Sequence, residues 1–201
     1  MRKIPTVGKV LAGLTFLALA LSGCIKMDLD MKITKDEKVD GFAIVAFSSQ
    51  MLEMTGQKKA DMVKEIKKDW SKLPKGAKAE IYDKDGFIGQ KITFKGMAAT
   101  EFGKATASAG STNPTGGGDD LKLVKEKGNW KFTGTMDMKG DVSGGTGDMS
   151  ALMKGMKIKI KMTFPGKIVQ HDKDGKVKDK SITWEPKAGQ KVVMLAIAKT
   201  S

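Results

Sequence analysis

One run of strict alternation constrains this chain more than any other feature. Ile25, Met27, Leu29, Met31 and Ile33 are apolar, and Lys26, Asp28, Asp30, Lys32 and Thr34 between them are polar. Successive side chains of an extended backbone point to opposite faces, so a period of two predicts a strand with one buried face. The pattern returns late in the chain, where Met156, Ile158, Ile160, Met162 and Phe164 interleave with Lys157, Lys159, Lys161 and Thr163. A fold built on sheet follows.

The remaining segments fill in the plan. Asp40-Gly41 is expected to break the chain before an apolar strand, Phe42 to Phe47. Between Ser48 and Trp70 the period changes: Met62, Val63, Ile66 and Trp70 share one helical face, Gly56 divides a short turn from a main helix, and Leu73-Pro74-Lys75-Gly76 stops it. Hairpins are predicted about Asp83-Lys84-Asp85-Gly86 and Lys127-Gly128, and between Lys167–Gln170 and Ser181–Trp184, with a closing strand over Lys191–Ala198. Small residues dominate 105–119 and 139–148, which read as flexible loops, and Met149 to Met153 fits a helical turn. The expectation is an α+β domain: a curved, mostly antiparallel sheet of about eight or nine strands with one main helix on one face.

What precedes the first strand sets the location. A basic start (Arg2, Lys3, Lys9) leads into the apolar run Val10–Leu21 and then Leu21-Ser22-Gly23-Cys24. That is the build of a secretory signal, and its end resembles a bacterial lipobox, in which the cysteine thiol takes a diacylglyceryl group and the chain is cut just before it. An ordinary signal with a chance cysteine is the alternative. Cys24 is the single cysteine of the chain and stands where lipidation requires it. Residues 1–23 are therefore expected to be removed, and residues 24–201 form a single extracytoplasmic domain held by acyl chains. Two chains hold a protein stably where one does so marginally. The run Val192–Ala198 has strand length, well short of the about 20 apolar residues a spanning helix needs. No tether separates Cys24 from the first strand, so the domain is expected to lie close against the outer face of the cytoplasmic membrane.

Charge narrows the partners. The chain carries 36 basic and 23 acidic residues. Taking away the signal's three basic residues leaves 33 against 23, a net +10, with every remaining basic residue a lysine. Nucleic acid is a poor partner for an exported chain whose one arginine, Arg2, lies in the signal. A Lys-rich surface turned toward anionic headgroups suits the anchor, and a solvated lysine coat suits solubility equally well.

Chemistry is scarce. His171, the one histidine, sits in a charged turn, where a general base finds neither burial nor an orienting partner. No serine lies in a nucleophile elbow. Asp172-Lys173-Asp174-Gly175 imitates the start of a calcium loop, yet the twelfth position is Thr183 where a glutamate is needed. The glycine runs lack the continuation of a phosphate loop. No enzyme activity, metal or cofactor is expected. Methionine stands out, with 14 residues. Because it is flexible and polarizable, Met27, Met31, Met62, Met136, Met156 and Met162 are candidates to line a tolerant apolar pocket, with ordinary core packing as the alternative.

The order of these blocks resembles the LppM-type lipoprotein domain of actinobacteria. The first is Leu21-Ser22-Gly23-Cys24 running into the alternating strand and Val39-Asp40-Gly41-Phe42. The second is Tyr82-Asp83-Lys84-Asp85-Gly86-Phe87-Ile88-Gly89, through Thr93-Phe94 to Glu101-Phe102. The third is Thr163-Phe164-Pro165-Gly166-Lys167-Ile168-Val169, closing on Ile182-Thr183-Trp184. Some members carry a membrane helix after the domain; here the anchor is expected to be lipid alone. The resemblance implies an extracytoplasmic α+β fold akin to lipid-binding folds, with mannosylated phosphatidylinositol lipids as the proposed ligands. It supplies no catalytic motif. Two functions fit: a non-enzymatic, lipid-anchored envelope protein that binds a phospholipid or glycolipid, or an envelope module that docks another protein.

Overall fold

A computed structural model describes residues 23–73, 75–101, 121–138 and 155–200. Residues 1–22, where most of the expected signal falls, both glycine-rich stretches and the turn expected at Met149–Met153 lie outside the described residues. In chain order the elements are β1 (Ile25–Ile33), β2 (Lys38–Ser48), α1 (Ser49–Thr55), α2 (Lys59–Lys68), β3 (Ala77–Lys84), β4 (Phe87–Ala98), β5 (Lys122–Glu126), β6 (Asn129–Asp137), β7 (Lys157–Thr163), β8 (Ile168–His171), β9 (Lys176–Lys178), β10 (Ser181–Trp184) and β11 (Lys191–Lys199). Short 3-10 turns follow α2 and β4.

The α+β expectation holds, and its detail changes. The strands form two sheets: a seven-stranded one in the order β3-β4-β2-β1-β7-β10-β9, and a four-stranded one in the order β5-β6-β11-β8. The two alternating segments, β1 and β7, are direct neighbours and run parallel, with Met31 beside Met162. That makes the larger sheet mixed, since its other pairings are antiparallel. Leu29, Met31, Ile92, Phe94, Ile160, Met162 and Trp184 of the first sheet pack against Trp130, Phe132, Met136, Met194 and Ala196 of the second. The Phe132 and Trp184 rings meet across the layers at 5.4 Å between centroids. Area-proportional burial of these side chains is the main force holding the layers together.

Helix counts differ too. Gly56 closes α1 in the left-handed conformation (φ 68°), with its N–H returning to the carbonyls of Glu53 and Leu52. Glycine takes this conformation without a Cβ penalty, so two helices stand where a short turn and one main helix were expected. Both rest on one end of the seven-stranded sheet, on the same face as the smaller sheet. Leu52, Met62 and Ile66, with Val63 and Trp70, close over Phe47, Ile81 and Ile88. The face reading of α2 is thus borne out.

Two local expectations are corrected. Asp40-Gly41 does not break the chain; β2 runs straight through it, with a register shift against β4 between Val39 and Gly41. Gly41 has φ 151°, and a Cβ there would stand 2.1 Å from the Asp30 carbonyl oxygen, so glycine lets the two backbones meet. Lys167–Gln170 does not pair with Ser181–Trp184. β8 joins β11 in the smaller sheet, and β10 takes β9 as its partner.

Candidate functional site

The end of the sheet where β1 begins gathers the features of interest. Cys24 is already tied into the ladder: its carbonyl accepts from the Ser48 N–H at 2.8 Å, and the residue is 9% exposed. Ser48 also caps α1, its side chain accepting from the Met51 N–H. Ser49 N and Oγ both donate to the Gly86 carbonyl, at 2.8 and 3.1 Å, which fixes the β3–β4 turn beside the cysteine. These segments enclose a hollow of about 300 Å³ around Cys24 with Phe87 at its side. Gly23, one residue earlier, sits between Lys157 and Phe87: a Cβ on it would lie 3.3 Å from Lys157 Cε and 3.4 Å from Phe87 Cζ.

Next to this hollow lies a groove of about 360 Å³ between β1, the start of β7 and the chain leaving β10. Met27, Met156, Ile158 and Pro186 give it apolar walls, and Lys26, Lys157, Lys159 and Lys187 stand around them. Two acids share the space. Burial pushes the Asp28 carboxyl above its ordinary value, against the pull of Lys159 and Lys26 and with a further push from Asp30. Glu185 is held below its ordinary value by the hydrogen bond and charge of Lys176, 2.9 Å away. Lys157, Lys159 and Lys187 make no ion pair among the described residues. An apolar trough with ammonium groups on its rim suits an amphipathic anion.

The six candidate methionines do not converge. Met31, Met136 and Met162, at 0–2% exposure, are solid core between the sheets. Met62 belongs to the separate cluster under the helices. Met27 and Met156 alone come together, half-buried, in the groove. Sequence reasoning did not find Pro186, Lys187 or the apolar cluster on the open side of the large sheet, where Ile44, Ala46 and Tyr82 are buried beside Phe42 and Phe87. The unbroken apolar run of β2 was the signal for it, since a strand covered on both faces loses its alternation. Lys26 crosses this cluster, donating to Tyr82 Oη at 2.8 Å with its ammonium 5.0 Å from the ring centroid.

A larger hollow, about 600 Å³, opens at the opposite end of β1, between the β1–β2 turn and the smaller sheet. Its mouth is bridged by the Lys125–Glu37 ion pair. His171 is exposed at the end of β8, its Nδ1 2.6 Å from the Asp172 carbonyl oxygen. No three His, Cys, Asp or Glu side chains among the described residues come together as a metal site. Among the same residues no helix is long and apolar enough to cross a membrane.

Two packed sheets, helices over one end and a lysine-rimmed groove beside the first strand define a non-barrel α+β domain with an amphipathic surface site. The LppM domain family model matches residues 26–200, and the chain belongs to that family. It is a lipoprotein family, which places the protein among membrane-associated envelope proteins. The folded domain of LppM from Mycobacterium tuberculosis, solved by NMR, is similar in fold: TM-score 0.65 over 89% of this chain and 91% of that one, at 16% identity. No curated protein matches the sequence.

Proposed function

We propose that this is a non-enzymatic envelope lipoprotein, anchored through a diacylglyceryl group on Cys24 at the outer face of the cytoplasmic membrane, whose domain binds a membrane lipid or glycolipid. The groove beside the anchor carries the reading. Met27, Met156 and Ile158 offer apolar contact to acyl chain, and Lys157, Lys159 and Lys187 offer charge to a phosphate. Family membership supports the envelope location.

Native mass spectrometry of the mature protein exposed to a lipid extract of the parent bacterium tests it. A discrete bound lipid is expected, lost in Met27→Asp and Met156→Asp variants that keep their circular dichroism spectrum. A bare protein mass across all lipid classes overturns the reading. It would favour the second one, a protein-docking module, for which the exposed Val124, Val169 and Val193 of the four-stranded sheet are the supporting observation.

A further inference from the structure

The open face of the seven-stranded sheet has a polarity of its own. Every outward position of β7 before Thr163 is a lysine: Lys157, Lys159 and Lys161. The outward positions of β1 beside them alternate less simply, with Lys26 and Lys32 outside Asp28 and Asp30. Lys161 is taken by Asp30 at 3.0 Å. Lys157 and Lys159, nearer the Cys24 end, are exposed and make no ion pair among the described residues. Three strands away on the same face, Phe87 is half-buried at the edge of the Tyr82 cluster, beside the hollow around Cys24. No other described strand or helix packs on this face, and the buried Ile44 and Ala46 are shielded by the face's own Tyr82, Phe42 and Phe87.

We propose that the domain docks a second time on the membrane that holds it, laying the Cys24 end of this sheet face on an anionic phospholipid surface through Lys26, Lys157, Lys159 and Phe87. The inference rests on the anchored reading above. Charge complementarity and continuity select the occupant. The unpaired lysines adjoin the residue that enters the bilayer, and Cys24 is hydrogen-bonded into the sheet, which leaves no slack to carry them away from the headgroups. Lysines close to an anionic leaflet are attracted within about a Debye length, ~8 Å at physiological salt. An aromatic ring beside them fits the interfacial layer.

Lysine footprinting of the mature, lipidated protein reads this directly. The protein is reconstituted in vesicles of phosphatidylcholine alone or mixed with phosphatidylglycerol, acylated briefly with a water-soluble reagent, and digested for mass spectrometry. Lys157 and Lys159 are expected to react several-fold more slowly on the anionic vesicles, while Lys122 and Lys131, on the outer face of the other sheet, react equally on both. Equal rates at Lys157 and Lys159, or slowing at Lys122 and Lys131 instead, overturn the proposal. A Lys157→Gln, Lys159→Gln variant, altered only at exposed positions, is expected to lose the slowing at Lys26. The same digest weighs the Cys24 peptide. A missing diacylglyceryl mass removes the anchored reading, and sedimentation of that unlipidated chain with phosphatidylglycerol vesicles then decides the footprint: retention weakened by the double variant supports it, and no retention overturns it. A lipid held in the groove would also shield these lysines, so the native mass spectrum tells the two failures apart: with no lipid bound there, slowing at Lys157 and Lys159 reports docking alone.

Discussion

Asp83 and Asp172 begin identical tetrapeptides, Asp-Lys-Asp-Gly, and meet different fates. After Asp83 the chain turns through Asp85 (φ 55°) and Gly86 (φ 75°), a two-residue hairpin turn of the primed kind, and the Asp83 carboxylate stays outside on Lys59. Asp172 turns inward. Its carboxylate accepts from Leu195 N at 2.7 Å, Trp184 Nε1 at 2.9 Å, Asp174 N at 2.8 Å and Gly175 N at 3.0 Å. All four neighbours donate, so the loop is a corner post between the sheets. Burial pushes this carboxyl up, but the four hydrogen bonds together outweigh it and hold it below the ordinary value. A carboxyl lowered in the folded state stabilises above its unfolded value, and that contribution is lost as pH falls through the folded value. Asp172→Asn is therefore expected to cost about 2 kcal/mol near neutrality, because an amide must oppose at least one donor. Urea titrations at neutral and acidic pH check this: the gap between variant and parent should narrow on acidification.

At the scale of elements, the methionines separate packing from surface function. Met31→Ala empties a site at 0% exposure between the sheets and is expected to cost about 2–5 kcal/mol. Met27→Ala, on the groove wall, should cost under about 1 kcal/mol, a value near that of ordinary surface changes. Thermal melts of the two variants make the comparison. The helices and most strands were legible in the sequence because their information is local. The face of Met62, Val63, Ile66 and Trp70, the Gly56 division and the alternation of β1 and β7 each needed only a few residues of context. β9 and the partner of β8 were not legible. Residues 167–184 hold three short strands separated by turns, and their pairing is decided by Asp172 reaching Trp184 and Leu195, contacts no local pattern encodes. Gly41 failed for the opposite reason: a glycine that serves close approach of two backbones reads, in one dimension, like a breaker.

For the whole molecule, the division into two sheets and the parallel join of β1 to β7 lay beyond the sequence pattern, since alternation names a buried face but not what covers it. The groove was half legible, through Met27 and Met156; Pro186 and Lys187 come to it from a connection with no motif of its own. The absence of slack at Cys24 has a measurable effect. A flexible Gly/Ser insert of about ten residues between Cys24 and Ile25 spans roughly 18 Å and lifts the lysines past the Debye length. Footprinting should then show Lys157 and Lys159 reacting alike on anionic and neutral vesicles, with the fold unchanged by circular dichroism. The place of β1 in the sheet also bears on how the molecule comes into being. A chain delivered from its N-terminus presents this strand first, and the hairpin with β2 can close at once. The other edge waits: Asp30 and the Lys161 that pairs with it are 131 residues apart. Throughout that interval a central strand stands with one side open, and an open edge is a template for any passing strand. The open edge closes only when β7 arrives, so the exposure belongs to folding and ends with it.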